Sequence, residues 1–239
     1  MKKLVLNLKG WACATGIAVV VAISFSACVK DNNRYNNVTQ PVALISAINA
    51  SPDAQPVDFF LDQNRTASNT IKSGESQDYI RAYTGKRNLI FYAAGSSQKI
   101  ISDTATLKNN TLYSVFLANV VSKPDLILLT DTLKQPASGM ATIRFINLSP
   151  DAPAADLAIK GGNVLVSNKA YKAFSGFITL PVNAAYNLEI RQAGTSTVLA
   201  SLNNVNIKNG LYTVWLQGIA AATDQTKLSA HIQNNVYYY

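Results

Sequence analysis

The sequence predicts an all-β chain: two tandem immunoglobulin-like (Greek-key) β-sandwich domains placed after an N-terminal export signal. Three observations predict it. The block Ile48-Asn49-Ala50-Ser51-Pro52-Asp53-Ala54 returns as Ile146-Asn147-Leu148-Ser149-Pro150-Asp151-Ala152, and Leu112-Tyr113-Ser114-Val115-Phe116-Leu117 returns as Leu211-Tyr212-Thr213-Val214-Trp215-Leu216. Two anchors in the same order define a repeat of roughly 95 residues, the size of one sandwich. Between the anchors, short apolar runs rich in Val, Ile, Leu, Phe and Tyr are separated by Gly, Pro, Asn, Asp and Ser, the punctuation of strands and turns. No segment beyond the export signal sustains the three-to-four apolar period of a helix.

Composition narrows the chemistry. The 239 residues are 48% hydrophobic and 14% charged, which excludes a disordered acidic or basic tail protein. One histidine, His231, and two cysteines, Cys13 and Cys28, leave zinc sites, thiol proteases and disulfide-stapled scaffolds unsupported. No cofactor and no metal is expected.

Residues 1–27 read as the signal. Lys2, Lys3 and Lys9 give its positive start, and Trp11 to Ala27 form an apolar stretch too short for a comfortable membrane span. Phe25-Ser26-Ala27-Cys28 resembles the bacterial lipobox, in which the cysteine receives diacylglycerol and becomes the new N-terminus; Phe25 stands where Leu is usual. The resemblance makes this a lipoprotein signal peptide, with lipidation at Cys28. It implies an exported protein, lipid-anchored to the outer membrane on its periplasmic or cell-surface side, with membrane lipid as a partner through acylated Cys28. Cleavage removes three of 21 basic residues and leaves 18 against 13 acids, a net charge of +5. Without Lys/Arg clusters that charge serves solubility and is no nucleic-acid footprint. Residues 28–41 are an Asn-rich tether; within it Lys30-Asp31 partly matches a surface-export signal.

The first sandwich spans 42–132, with strands expected near 42–49, 56–62, 77–84, 87–94, 98–106, 112–120 and 125–132. Residues 133–140 form the linker. The second sandwich spans 141–239, with strands near 141–148, 154–160, 163–167, 174–181, 185–192, 197–206, 211–218 and 227–233. Tyr113, Val115 and Leu117 share one face of their strand, as do Tyr212, Val214 and Leu216. Ser51 and Pro52 suit the start of a type I turn, where Asp53 caps nearby backbone N–H groups. Tyr113 and Tyr212 are placed like the tyrosine of a tyrosine corner, whose hydroxyl pins an intersheet loop.

At these residues the chain resembles the "domain of unknown function 4397" family. A strand ending in Asn-x-Ser-Pro-Asp-Ala, followed by a Val-Asp-Phe-type strand, carries the resemblance at Asn49–Ala54 with Asp58, and more closely at Asn147–Ala152 with Asp156. It covers about 43–130 and 141–233. It implies an exported bacterial β-sandwich protein, often a lipoprotein, with no assigned activity and no catalytic residue to carry over.

The remaining candidates divide by their chemistry. Asp53, Asp58 and Asp62, repeated in part at Asp151 and Asp156, lack the wrapping loop of a calcium site and read as turn caps and solvated acids. Glu75 and Glu189 give no motivated glycosidase pair. His231 reads as a surface-facing strand residue and not as a catalytic base. Gly161-Gly162 reads as a hairpin. Asp103-Thr104 and Asp131-Thr132 resemble Asp-Thr-aliphatic O-glycosylation sites. Tyr237-Tyr238-Tyr239 extends the last strand or offers an aromatic patch. Together these imply a non-enzymatic binding or adhesion module whose partner is a glycan or an envelope protein. The alternative is a structural assembly partner of another envelope protein, and a hydrolase ranks below both.

Overall fold

The computed structural model describes residues 40–132 and 134–237. The signal peptide, Cys28 and all but the end of the tether lie outside the described residues. The described residues form strands and turns without a helix, in four sheets of four strands.

The first repeat supplies β1 (Val42–Ala50), β2 (Val57–Leu61), β3 (Asn64–Arg65), β4 (Ser76–Tyr83), β5 (Gly85–Ala93), β6 (Lys99–Leu107), β7 (Leu112–Ala118) and β8 (Asp125–Asp131). The second supplies β9 (Met140–Asn147), β10 (Ala155–Ile159), β11 (Val164–Lys169), β12 (Ile178–Pro181), β13 (Asn183–Gln192), β14 (Val198–Ile207), β15 (Gly210–Gln217) and β16 (Ser229–Tyr237). The strand expected over 174–181 begins at Ile178, because Phe174 makes only an isolated bridge to Ile146. The last strand runs on to Tyr237, which pairs with Gly210.

Each repeat builds one sandwich from sheets ordered β4-β1-β7-β8 and β3-β2-β5-β6, or β12-β9-β15-β16 and β11-β10-β13-β14. In both, the first strand lies parallel to the penultimate one: Ile45 opposes Tyr113, and Ile143 opposes Tyr212. A parallel pair needs a long crossover, and here the whole facing sheet lies between the two strands in sequence.

Side-chain alternation then sorts the cores. Ala43, Ile45, Val57, Phe59, Leu89, Phe91, Tyr113, Val115 and Leu117 fill the first sandwich. Ile143, Phe145, Leu157, Leu188, Ile190, Tyr212, Val214 and Leu216 fill the second. The opposite faces of β1, β7, β9 and β15 are buried as well. Ile48, Ala50, Phe116, Ala118 and Leu129 of the first repeat meet Ile146, Leu148 and Trp215 of the second in a third core. The chain from Pro41 onward is accordingly one compact unit of four stacked sheets. Strands buried on both faces read as continuous apolar runs, which is how Val115-Phe116-Leu117-Ala118 and Val214-Trp215-Leu216 are written.

Polar side chains register this middle layer. Arg144 of β9 pairs with Asp131 of β8 at 2.6 Å, and both side chains are almost wholly buried (3% and 0% exposed). The Asp131 carboxylate also accepts from Tyr79 Oη (2.5 Å) and Ser114 Oγ (2.7 Å), while Arg144 Nε donates to Thr213 Oγ1 at 2.9 Å. Asn235 Nδ2 donates to Tyr79 Oη, Gln233 Nε2 to Ser46 Oγ and Gln217 Nε2 to Ser73 Oγ, each at 2.9 Å across the two repeats. At the rim, Asp125 accepts from Tyr171 Oη (2.5 Å) and Lys172 Nζ (2.6 Å). Burial works against the Asp125 charge, but these bonds outweigh it and hold its carboxyl below the usual range.

Candidate functional site

The residues that carry the repeat signature are absorbed by the backbone. Asn49 Oδ1 accepts from the Ser51 N–H (3.2 Å) and its Nδ2 donates to the Ile71 carbonyl (3.1 Å). Asn147 repeats this with Ser149 N–H and the Lys169 carbonyl. Asp53 Oδ1 accepts from the Val121 N–H and Asp151 Oδ1 from the Ala220 N–H, both at 2.8 Å. Each aspartate therefore ties the turn after the first strand to the loop after that strand's parallel partner.

Asp58 and Asp156 take the next task. Asp58 accepts from the Gly95 N–H (3.0 Å), and Asp156 from the Gly194 N–H (2.9 Å). Gly95 and Gly194 sit at φ +67° and +71°, where a side chain is strained. Asp58 also pairs with Arg65 at 2.5 Å, and Asp156 accepts from the Asn168 N–H. The tyrosine corners form as read: the Lys108 N–H donates to Tyr113 Oη at 3.0 Å and the Lys208 N–H to Tyr212 Oη at 2.9 Å.

Asp62, grouped in the sequence with Asp53 and Asp58, pairs with Arg87 at 3.2 Å and accepts from the Asn88 N–H. Among the described residues no three His, Cys, Asp or Glu side chains converge. Asp131, read as part of an O-glycosylation pattern, is instead the buried partner of Arg144. Gly161 turns the β10–β11 hairpin with φ +68°. Tyr238 and Tyr239 lie outside the described residues.

The reading of His231 as surface-facing needs correction. Its ring stacks on Trp215, with centroids 5.4 Å apart and planes 20° from parallel. It also lies against Gly74 of the first repeat so closely that a Cβ there would overlap the imidazole. Burial holds the His231 pKa below its ordinary value, opposed by a hydrogen bond with the Gly74 backbone. Ser229 Oγ lies 2.9 Å from Nε2, so a Ser–His contact exists. What faces the rest of the ring is the indole and a peptide group; a triad would need an orienting carboxylate there. The alternation of β16 was legible, but the sheet that covers its outer face was not.

The two outermost sheets differ where the repeats otherwise agree. On the outer face of the β3-β2-β5-β6 sheet, Phe60 of β2 pairs in register with Ile90 of β5. Tyr92 stands beside them, with its ring 5.0 Å from that of Phe60 at an interplanar angle of 70°. These half-buried side chains floor a shallow recess of about 680 Å³ rimmed by Asp62, Gln63, Asn64, Asn88, Ser96 and Ser97. The corresponding positions of the second repeat hold Ala158, Glu189 and Arg191, and the latter two close on each other at 2.7 Å. One end of the stack thus presents rings and amides, and the other an ion pair.

Residues 43–158 match the family described as "Domain of unknown function (DUF4397)". Over that stretch the chain is DUF4397-like. The match takes in the first sandwich together with β9 and β10, and so both copies of the Asn-x-Ser-Pro-Asp-Ala block; of the second stretch of resemblance, 141–233, it reaches residue 158. None of the curated proteins matches the chain. Among solved structures it is similar to the family 26 carbohydrate-binding module CBMbc of Eubacterium rectale Amy13K, solved with maltoheptaose, at 10% identity over 82% of this chain and 97% of that one, with a TM-score of 0.27. It is also similar to family 41 carbohydrate-binding modules from streptococcal virulence factors, at 9% identity over 79% and 96%, with a TM-score of 0.24.

The repeated signature is thus a set of backbone pins, and the recess lies among residues that sequence reasoning passed over. A signal was present. In Val57-Asp58-Phe59-Phe60-Leu61, two phenylalanines in succession must point to opposite faces, so one of them faces away from the core.

Proposed function

We propose that this protein is a non-enzymatic binding module, held at the outer membrane through acylated Cys28, that takes a neutral glycan chain on the Phe60–Ile90–Tyr92 face. The observation that carries the reading is the pairing of half-buried aromatic rings on an outer sheet face with a rim of amides and hydroxyls at one end of the stack only. A pyranose lays its C–H face on an aromatic ring while its rim hydroxyls take side-chain amides, and small-ligand sites combine apolar floors with a few placed polar groups in this way. Three side chains fall far short of the roughly 800 Å² per partner of a stable protein interface. The charges nearby, Asp62 and Arg87, neutralise each other, which favours an uncharged ligand.

The test is retention of the anchored protein on a panel of neutral polysaccharides, followed by titration with the best oligosaccharide. Phe60→Ala and Tyr92→Ala should each weaken binding by about 1–3 kcal/mol, roughly 5- to 150-fold, while leaving the unfolding midpoint close to wild type. Unchanged affinity in both variants would overturn the site. Recovery from native envelopes of one stoichiometric protein partner, lost on deleting residues 237–239 and with no glycan retained, would favour the assembly role instead. For the anchor, intact mass of membrane-extracted protein should show loss of residues 1–27 and added acyl mass on Cys28; an unmodified thiol there would rule out the tether.

A further inference from the structure

Where the edges of the two middle sheets meet, β8 on one side and β12 and β9 on the other, a second and larger cleft of about 890 Å³ opens. The Phe174 ring on its wall is 50% exposed. Phe177 beside it gives one ring face to the Arg144 guanidinium, 4.8 Å from its centroid. Arg144 lines the cleft with its Nε and Nη2 already bound to Thr213, Ser114 and Asp131, and its Nη1 takes no part in those bonds. Thr142 Oγ1, also in the lining, is buried and has no hydrogen-bond partner among the described residues. An orphaned hydroxyl of this kind costs about 1–3 kcal/mol unless something satisfies it.

The charges of the lining are one-sided. Lys134 and Arg144 contribute to it and no aspartate or glutamate does. Asp131 neutralises Arg144 from behind, and Lys134 forms no ion pair among the described residues. The site therefore combines a bare aromatic face, threonine hydroxyls and an uncompensated cation. An extended peptide would need a free strand edge to add to. Of the two edges that border the cleft, β12 has four residues and ends in Pro181, a short proline-bearing strand of the kind that blunts edge pairing, and β8 brings only Thr130 into the lining. We infer that this cleft is a second binding site, one for an acidic sugar, in which a uronate ring stacks on Phe174 and its carboxylate is held by Lys134 and the Nη1 side of Arg144.

The measurement is titration calorimetry of the soluble chain from residue 29 onward with short oligomers of galacturonate, glucuronate and mannuronate, each run beside its fully methyl-esterified form. At least one acid oligomer should bind at least ten-fold more tightly than its ester, and its affinity should fall as salt is raised. Phe174→Ala should weaken that binding about ten-fold or more while the unfolding midpoint stays put, since the ring is exposed. Lys134→Gln should lower affinity and flatten the salt dependence. Equal affinity for acid and ester, indifference to Phe174→Ala, preference for an acidic peptide, or no binding of any of the three oligomers at millimolar concentration would each overturn the site.

Discussion

Replacing Arg144 by Ala should destabilise the protein by about 3–5 kcal/mol, the cost of leaving one member of a buried ion pair without the other. The carboxylate left behind, Asp131, has a side chain with no exposure, and its other donors are the hydroxyls of Tyr79 and Ser114. Both hydroxyls remain, but a neutral donor does not replace a guanidinium at 2.6 Å. The loss also frees Thr213 Oγ1 from its bond with Nε and removes the cation from the Phe177 ring. Urea unfolding followed by tryptophan fluorescence reads the change. The double variant Arg144→Met with Asp131→Leu should recover part of the stability, because no buried charge is then left unpaired, although the Tyr79 and Ser114 hydroxyls lose their acceptor. A single Arg144→Ala within 1 kcal/mol of wild type would show that the pair contributes little to holding the sheets.

Trp215→Ala is the other large change, with an expected cost of about 3–5 kcal/mol for a deleted buried aromatic. Trp215 is 1% exposed. It meets Phe116 of the first repeat edge-on at 6.4 Å, stacks on His231, and donates Nε1–H to Gln217 Oε1 at 2.8 Å. Either sandwich expressed alone should be poorly soluble for the same reason, since it would expose Ile48, Phe116 and Leu129, or Ile146, Leu148 and Trp215. The division into 42–132 and 141–239 is still proposed, and limited proteolysis tests it: first cleavage should fall within 133–140. Acid should weaken the same layer. His231 has its pKa lowered in the folded state, so its contribution is intact above the unfolded value near 6.5 and is lost as pH falls below it. The acid arm of a stability–pH curve should flatten in His231→Gln. An unchanged arm would mean that His231 does not titrate with unfolding.

Much of this architecture was legible because it is local. Strand positions follow from short apolar runs between turn residues, and those signals act over a few neighbours. The Asn-x-Ser-Pro-Asp-Ala block and the two tyrosines could be given structural tasks from the sequence because turn caps and corner hydrogen bonds belong to recurring local motifs. What those caps reach was less legible. Asp53 binds Val121 and Asp151 binds Ala220 because β1 lies parallel to β7 and β9 to β15. Parallel pairing joins strands distant in sequence and leaves no turn motif between them.

By itself the sequence determined an all-β chain, its internal duplication and the turns that carry the repeated block, since each rests on periodicity or on backbone preferences of single residues. Only the tertiary structure decided which faces of those strands are buried twice. Alternation identifies Tyr113, Val115 and Leu117 as one face, but it does not say that Phe116 on the other face meets Trp215. That contact, the Arg144–Asp131 pair and the half-buried His231 exist because two copies of one sandwich stack through equivalent sheets. The free energy of such a layer comes from surfaces that meet only once both repeats are folded, and no window along the chain contains both.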